Sequence, residues 1–303
     1  MLWLTVTIVA YLIMAVVFLV DKYLLVSSIP NPRVYAFLIG IAGIFLIFLI
    51  PFVDFYVPSL FQLLLSFGAG ASFVLALFWF FKALQKFNVS QVVPAVGALT
   101  PIFTFFLIYL SSFGKETLSF YEIASFAILI FGSVLITFER EKSINAKSLK
   151  LSLLSAFLFS LYFVMTKYVY LEQPFLNGLI WTRLGGALLA LFLFIIWPDV
   201  KKQIFSSQDG LQKKSLAIVS ANQTVGAGAG ILQNWAIALA PLAYVAFINA
   251  LQGVQYAFLL VLSVFISWKF PSILKESLSK RIIIQRVIAI LLIVFGMALL
   301  AIK

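Results

Sequence analysis

Residues 215–268 contain no Asp, Glu, Lys or Arg, an uncharged stretch of 54 residues. An α-helix rises about 1.5 Å per residue and a bilayer's hydrocarbon core is about 30 Å thick, so about 20 apolar residues cross it once. The stretch is too long for one crossing. It divides at Ala240 and Pro241, because proline cannot donate to the helix ladder and disfavours helix in the residue before it. Two spans joined by a tight turn follow.

The rest of the chain repeats the pattern. Charge-free runs occupy residues 1–20, 34–53, 55–81 and 87–114, and shorter ones occupy 123–138, 151–166 and 287–302. Flanking Tyr, Lys and Arg can snorkel and lengthen the shorter runs. Residues 174–197 cross with one internal cation, Arg183. The expectation is an all-α integral membrane protein with ten spans. A barrel is excluded, since no run alternates with period two and each backbone group in hydrocarbon must be satisfied locally. With 64% hydrophobic and 10% charged residues and a mean hydropathy of +1.14, the chain leaves no room for a soluble domain. The longest hydrophilic segment, 198–215, is too short for one. Residues 1–20 lack a basic leader and a small-residue cleavage site, and so read as a first span rather than a removable signal.

Composition also narrows the chemistry. Cys and His are both absent, which removes thiol nucleophiles, imidazole bases and the usual zinc ligands. No metal or cofactor is expected, and the chain reads as a non-enzyme. The net charge of +11 is spread over short loops, where Lys and Arg anchor helix ends, so nucleic acid is not an expected partner. No phosphate-binding G-x-x-x-x-G-K-[ST] loop occurs, which excludes an intrinsic ATP-driven pump. The expected partners are the lipid bilayer and a small-molecule substrate.

The chain carries an internal duplication. Lys115-Glu116-Thr117-Leu118-Ser119 pairs with Lys275-Glu276-Ser277-Leu278-Ser279, and Phe131-Gly132-Ser133 with Phe295-Gly296-Met297. Asp21-Lys22-Tyr23 echoes Thr166-Lys167-Tyr168, Pro51 echoes Pro198, and the Gly-Ala-Gly-Ala at Gly68 recurs at Gly226. Two five-helix copies result, residues 1–140 and 148–303. An odd helix count inverts the second copy, and inverted repeats can rock around a shared midplane site.

Phe80-Phe81-Lys82-Ala83-Leu84 leads to Asn88-Val89-Ser90, then Thr100-Pro101-Ile102-Phe103, then Gly114-Lys115-Glu116 and the glycine of the next helix. On these motifs the chain resembles the drug/metabolite transporter superfamily, specifically proteins with two EamA-type domains, over nearly its whole length. The second copy departs from the pattern, with Gln255-Tyr256 about where the family has proline. The resemblance implies export or exchange of small polar organic molecules by alternating access, through a cavity lined by both halves. An integral membrane enzyme acting on lipid-linked substrates and a non-transporting scaffold or receptor are the alternatives.

Candidate residues follow from helical spacing. Gly97, Thr100, Pro101 and Thr104 share one face, with a carbonyl freed near Gly97, and either line a pathway or pack and kink the helix. Asn222, Gly226 and Gln233 share another, as do Asn249, Gln252 and Tyr256. These amides either recognise a polar solute or bond neighbouring helices. Gly226 and Gly230 form a GxxxG, read as internal packing. Arg183 lies nine residues beyond Pro174 and unpaired in hydrocarbon would cost at least roughly 2.5 kcal/mol. Either it contacts an anionic substrate group, with Trp181 and Tyr162 stacking nearby, or it snorkels or pairs with carbonyls. No carboxylate is expected at mid-membrane, which favours facilitated diffusion or exchange.

The inner membrane is the expected location. One face holds 17 loop cations and the other, with Lys115, Lys167 and Lys303, holds 3. By charge both termini lie outside, whereas the resemblance implies cytoplasmic termini.

Overall fold

The computed structural model describes residues 1–27, 31–87, 89–137, 146–205, 213–269 and 280–301, and the regular structure among them is helical throughout. In chain order the helices are α1 (Leu2–Ser27), α2 (Pro32–Ala42, continuing as a 3-10 helix over Gly43–Phe52), α3 (Leu60–Lys86), α4 (Val89–Ser111), α5 (Phe120–Thr137) and α6 (Ala146–Glu172). There follow α7 (Phe175–Ile196), α8 (Pro198–Phe205), α9 (Lys213–Leu239), α10 (Val245–Ala250), α11 (Gln252–Lys269) and α12 (Lys280–Ala301).

Local chemistry sets the helix ends. The Asn31 side chain accepts from the Arg33 amide at 3.0 Å and Pro32 follows it, so cap and fixed φ together start α2. Ser59 caps α3 in the same way. After α4 the chain turns through left-handed Phe113 (φ 54°) and Gly114 (φ 75°). A capping box then opens α5. The Ser119 amide donates to the Glu122 carboxylate at 2.7 Å, and the Glu122 amide to the Ser119 hydroxyl at 3.4 Å. The break expected at Ala240 and Pro241 is present, between α9 and α10.

Among the described residues nine helices are long and apolar enough to cross a membrane, so the chain is an all-α, multi-pass membrane protein. Large apolar side chains such as Phe48, Phe106, Leu191 and Leu291 lie exposed on the outside, as lipid contact requires. Small and polar residues lie inside, which suits bundles whose helices gain nothing hydrophobic by leaving lipid for one another.

α1, α3, α6 and α12 extend past their uncharged runs by a turn or more, because flanking charged side chains reach water from deeper backbone positions. The expected ninth span is broken at Leu251 into α10 and α11. The freed carbonyls are satisfied laterally: the Tyr11 hydroxyl donates to Ile248 at 2.8 Å and the Ser133 hydroxyl to Ala250 at 3.0 Å. Lys167, counted above as a loop cation, is instead buried in α6. The 275–279 copy of the repeat motif lies outside the described residues, as do the side chains of residues 21–23.

Glycines set the closest approaches. A Cβ on Gly70 of α3 would stand 2.0 Å from the Thr182 carbonyl of α7, and one on Gly185 of α7 would stand 2.4 Å from Phe67 Cα of α3. The helices touch backbone to backbone there. Gly132 of α5 meets Ile293 of α12, and Gly296 of α12 meets Leu129 of α5.

Candidate functional site

Two polar clusters lie on either side of α9. The first lies toward α3, α6 and α7. Arg183 lies on the inner part of α7, with its guanidinium over the Phe73 ring at 5.2 Å. Its Nη2 is 3.2 Å from where a Cβ on Gly230 would be, so the missing side chain on α9 makes room for the cation. Among the described residues no carboxylate lies within 4.0 Å of Arg183, and no hydrogen bond from it is formed. The expected pairing with carbonyls is thus not formed among the described residues.

Arg183 lines a narrow, partly open cleft with Gly70, Phe73, Val74, Tyr162, Thr182 and other residues of α2 and α7. Asn234 of α9 organises the back wall. Its Oδ1 accepts from the Tyr170 hydroxyl at 2.9 Å, its Nδ2 donates to the Gly230 carbonyl at 2.8 Å, and it exchanges hydrogen bonds with Tyr162. Thr182 is buried and its hydroxyl has no hydrogen-bond partner.

The second cluster lies toward α1, α4, α10 and α11. Thr104 donates to the Thr100 carbonyl at 2.8 Å, Ser160 donates to the same carbonyl at 2.9 Å, and the Asn249 Nδ2 donates to Thr104 at 2.9 Å. Because the Thr104 proton is committed, Asn249 must present its NH₂ group there. The Thr100 hydroxyl and the Asn249 Oδ1 are left without partners in the interior. Gly97 admits the second half: its Cβ would stand 3.5 Å from the Tyr256 hydroxyl and 3.8 Å from Gln252 Oε1. α4 continues as helix through Pro101.

Other expected site residues serve neighbouring helices. Asn222 donates to the Val17 carbonyl at 3.2 Å, Gly226 abuts Val17, and Gln233 reaches the Tyr11 hydroxyl at 3.4 Å. That face of α9 is bonded to α1. Gly226 and Gly230 thus have different neighbours, a helix and a guanidinium. Trp181 is not among the residues lining the cleft beside Arg183. Its Nε1 donates to the Tyr56 carbonyl at 3.0 Å, and its ring stacks on Phe55 at 5.2 Å.

Sequence reasoning missed Asn234, Thr182, Phe73 and the residues that hold the α9–α10 turn. Asn234 lies one helical turn after Gly230 and Thr182 is adjacent to Arg183, so spacing from the rare cation was the available signal. At the turn, Lys167 donates to the carbonyls of Ala238 at 3.1 Å and Ala240 at 2.6 Å, a cation on the negative end of α9. From the other side Tyr244 donates a very short hydrogen bond to Glu122. Burial, together with the bond to the Glu122 carboxylate, pushes the Tyr244 phenol up to about 12. Outside the bundle, Asp199 of α8 pairs with Arg33 at 3.0 Å and accepts from Asn31 at 3.1 Å. Burial acts to raise that carboxyl, but these bonds hold it below its usual range.

No family model matches the sequence, and no curated protein matches it. The fold is similar to that of a solved structure described only as "Crystal structure of protein", with a TM-score of 0.68 at 18% identity, covering 98% of this chain and 96% of that one. That likeness concerns fold alone.

Proposed function

We propose that the protein is a secondary transporter of small polar organic metabolites, an EamA-type member of the drug/metabolite transporter superfamily. In this reading α9 is the tenth span. It has 27 residues with no charge after Lys214, and its amides lower its hydropathy. The halves are then α1 to α5 and α6 to α12, related by inversion.

The pattern of helix packing supports the inversion. Exchange of the halves turns the α1·α9 contact into α6·α3 and the α1·α11 contact into α6·α4, and all four are close. The contacts α2·α7 and α5·α12 map onto themselves, and the reciprocal Gly132 and Gly296 fit that relation.

One departure carries the functional reading. Gly68 of α3 abuts Met165 of α6, and its repeat partner Gly226 of α9 abuts Val17 of α1, as exchange requires. Gly70 is pressed onto α7, yet among the described residues nothing lies within 4 Å of the Cβ position of its partner Gly228. The α2·α7 pair leans on α3 and stands off α9, which it meets through long side chains such as Gln223 and Tyr35, bonded at 3.0 Å. Two similar seats, one filled and one empty, are what rocking between two near-equivalent states needs. Among the described residues no carboxylate relay accompanies the polar clusters, which favours exchange or facilitated diffusion.

The reading takes the cation-rich face as cytoplasmic. Burial of Lys167 leaves only Lys115 and Lys303 on the opposite face, and a C-terminal reporter fusion tests that orientation. Counterflow in sealed proteoliposomes loaded with pooled amino acids, nucleosides and organic acids tests the function. Exchange of at least one class above protein-free vesicles is expected, and none for any class would refute it.

A further inference from the structure

We propose that the cleft beside Arg183 is a carboxylate subsite, which takes the single anionic group of a small organic acid or zwitterion between the Arg183 guanidinium and the Thr182 hydroxyl. Its role in moving that solute rests on the transporter reading, whereas binding does not.

Three observations carry it. Arg183 is the ninth residue of the 22-residue α7, deep in its span, yet among the described residues it has neither an ion-pair nor a hydrogen-bond partner. The carboxylates that could have served it are elsewhere: Asp199 holds Arg33 and Glu122 caps α5. Thr182, which lines the same cleft, is 1% exposed and its Oγ1 has no partner. A half-buried cation and a buried hydroxyl on adjacent residues therefore both lack an acceptor oxygen, which a carboxylate supplies.

The chemistry narrows the ligand further. The guanidinium sits over the Phe73 ring at 5.2 Å, and its N–H donors, which have no partner among the described residues, match the two oxygens of a planar carboxylate. A single cation balances one negative charge, so a dianion is disfavoured. Ile39, Phe73, Val74 and Tyr162 complete the lining, so a ligand whose charged group meets Arg183 at the open cleft has apolar and aromatic surface beside it.

The test is thermal protection and calorimetric titration of the purified full-length protein in detergent. The probes are phenylacetate, indoleacetate and acetate, set against phenylethylamine, 2-phenylethanol, chloride and phosphate. Saturable protection by an aromatic carboxylate is expected, with none from the amine or the alcohol. Arg183→Gln should weaken binding about 100-fold and Thr182→Val about 10-fold, with Arg183→Lys between wild type and Arg183→Gln. Failure of every carboxylate to bind, equal binding by the amine, or saturation by chloride or phosphate at matching affinity would overturn the subsite. Should Arg183→Gln not fold, the isosteric Thr182→Val carries the test, and unchanged affinity in it overturns the proposal. Counterflow separates the two claims. Arg183-dependent binding without flux sinks the transporter reading alone, and flux indifferent to Arg183→Gln sinks the subsite alone.

Discussion

The seats of Gly70 and Gly228 allow one substitution to be made twice with opposite results. In Gly70→Ala the new Cβ meets the Thr182 carbonyl at 2.0 Å and the Gly186 amide nitrogen at 2.4 Å, both backbone atoms that no rotamer change can move. Restoring ordinary contact near 3.4 Å requires α3 and α7 to part by about 1.4 Å along a seam packed as densely as a protein interior. Overpacking of this kind costs about 1–3 kcal/mol or more, and alanine's better helix propensity returns up to about 1 kcal/mol. A net loss of roughly 2 kcal/mol follows. Gly228→Ala meets nothing within 4 Å and keeps only the propensity gain. The two variants should melt on the order of 5 °C apart in a detergent thermal-shift assay. Gly228→Leu extends the test to function. It leaves the described packing intact but fills the seat α9 would offer in the exchanged state, so counterflow should fall at least about tenfold with no loss of melting temperature. Equal melting of the two alanine variants would refute the packing argument, and full flux in Gly228→Leu would refute the rocking built on it.

Three further outcomes are expected. Lys167→Met removes both bonds to the last carbonyls of α9 and should lower stability by about 2 kcal/mol in a thermal melt. Ser119→Ala should cost about 1 kcal/mol by loss of the α5 cap, and Glu122→Ala about 2 kcal/mol because it also strips Tyr244 of its acceptor, both read by the same melt. Asp199 is held below its usual range, so its contribution is complete above the ordinary carboxylate pKa and is lost as pH falls through the depressed folded value. Melting followed against pH should show an acid-side decline in wild type that is shallower in Asp199→Asn.

Most of the fold was legible because lipid imposes a length and a polarity that show directly in the chain. The Ala240-Pro241 break was readable from two consecutive residues, whereas the equally local Asn31-Pro32 start and Ser119-Glu122 box went unread. The break at Leu251 was not readable, since it depends on carbonyls satisfied by Tyr11 and Ser133, 237 and 117 residues away from their partners. Lys167 was misread for a related reason. A lysine near a span end ordinarily snorkels, and only the position of α9's C-terminus makes burial the better choice. Arg183 was legible as an anomaly, but its surroundings come from Phe73 of α3 and Gly230 of α9, which tertiary packing alone brings together.

The least apolar long helix is the one between the two clusters, and its sequence explains why. α9 carries amides at Asn222, Gln223, Gln233 and Asn234, and an unpaired amide in hydrocarbon costs several kcal/mol. Eleven residues are close to three helical turns, so Asn222 and Gln233 form one stripe while Gln223 and Asn234 form another about 100° away. The first stripe bonds Val17 and Tyr11 of α1, and the second bonds Tyr35 of α2 and Tyr162 and Tyr170 of α6. The two polar stripes hold α9 between α1 on one side and α2 and α6 on the other, while Val225, Trp235 and Leu239 on its remaining surface stay exposed. Interhelical bonds of this kind are worth about 0.6 kcal/mol each, so parting α9 from one neighbour while it keeps the other gives up about 1–2 kcal/mol. In the proposed transporter reading, hydrogen bonding is therefore the smaller part of what holds α9 in place, and its packing on α1 is the larger part that any rocking would have to replace.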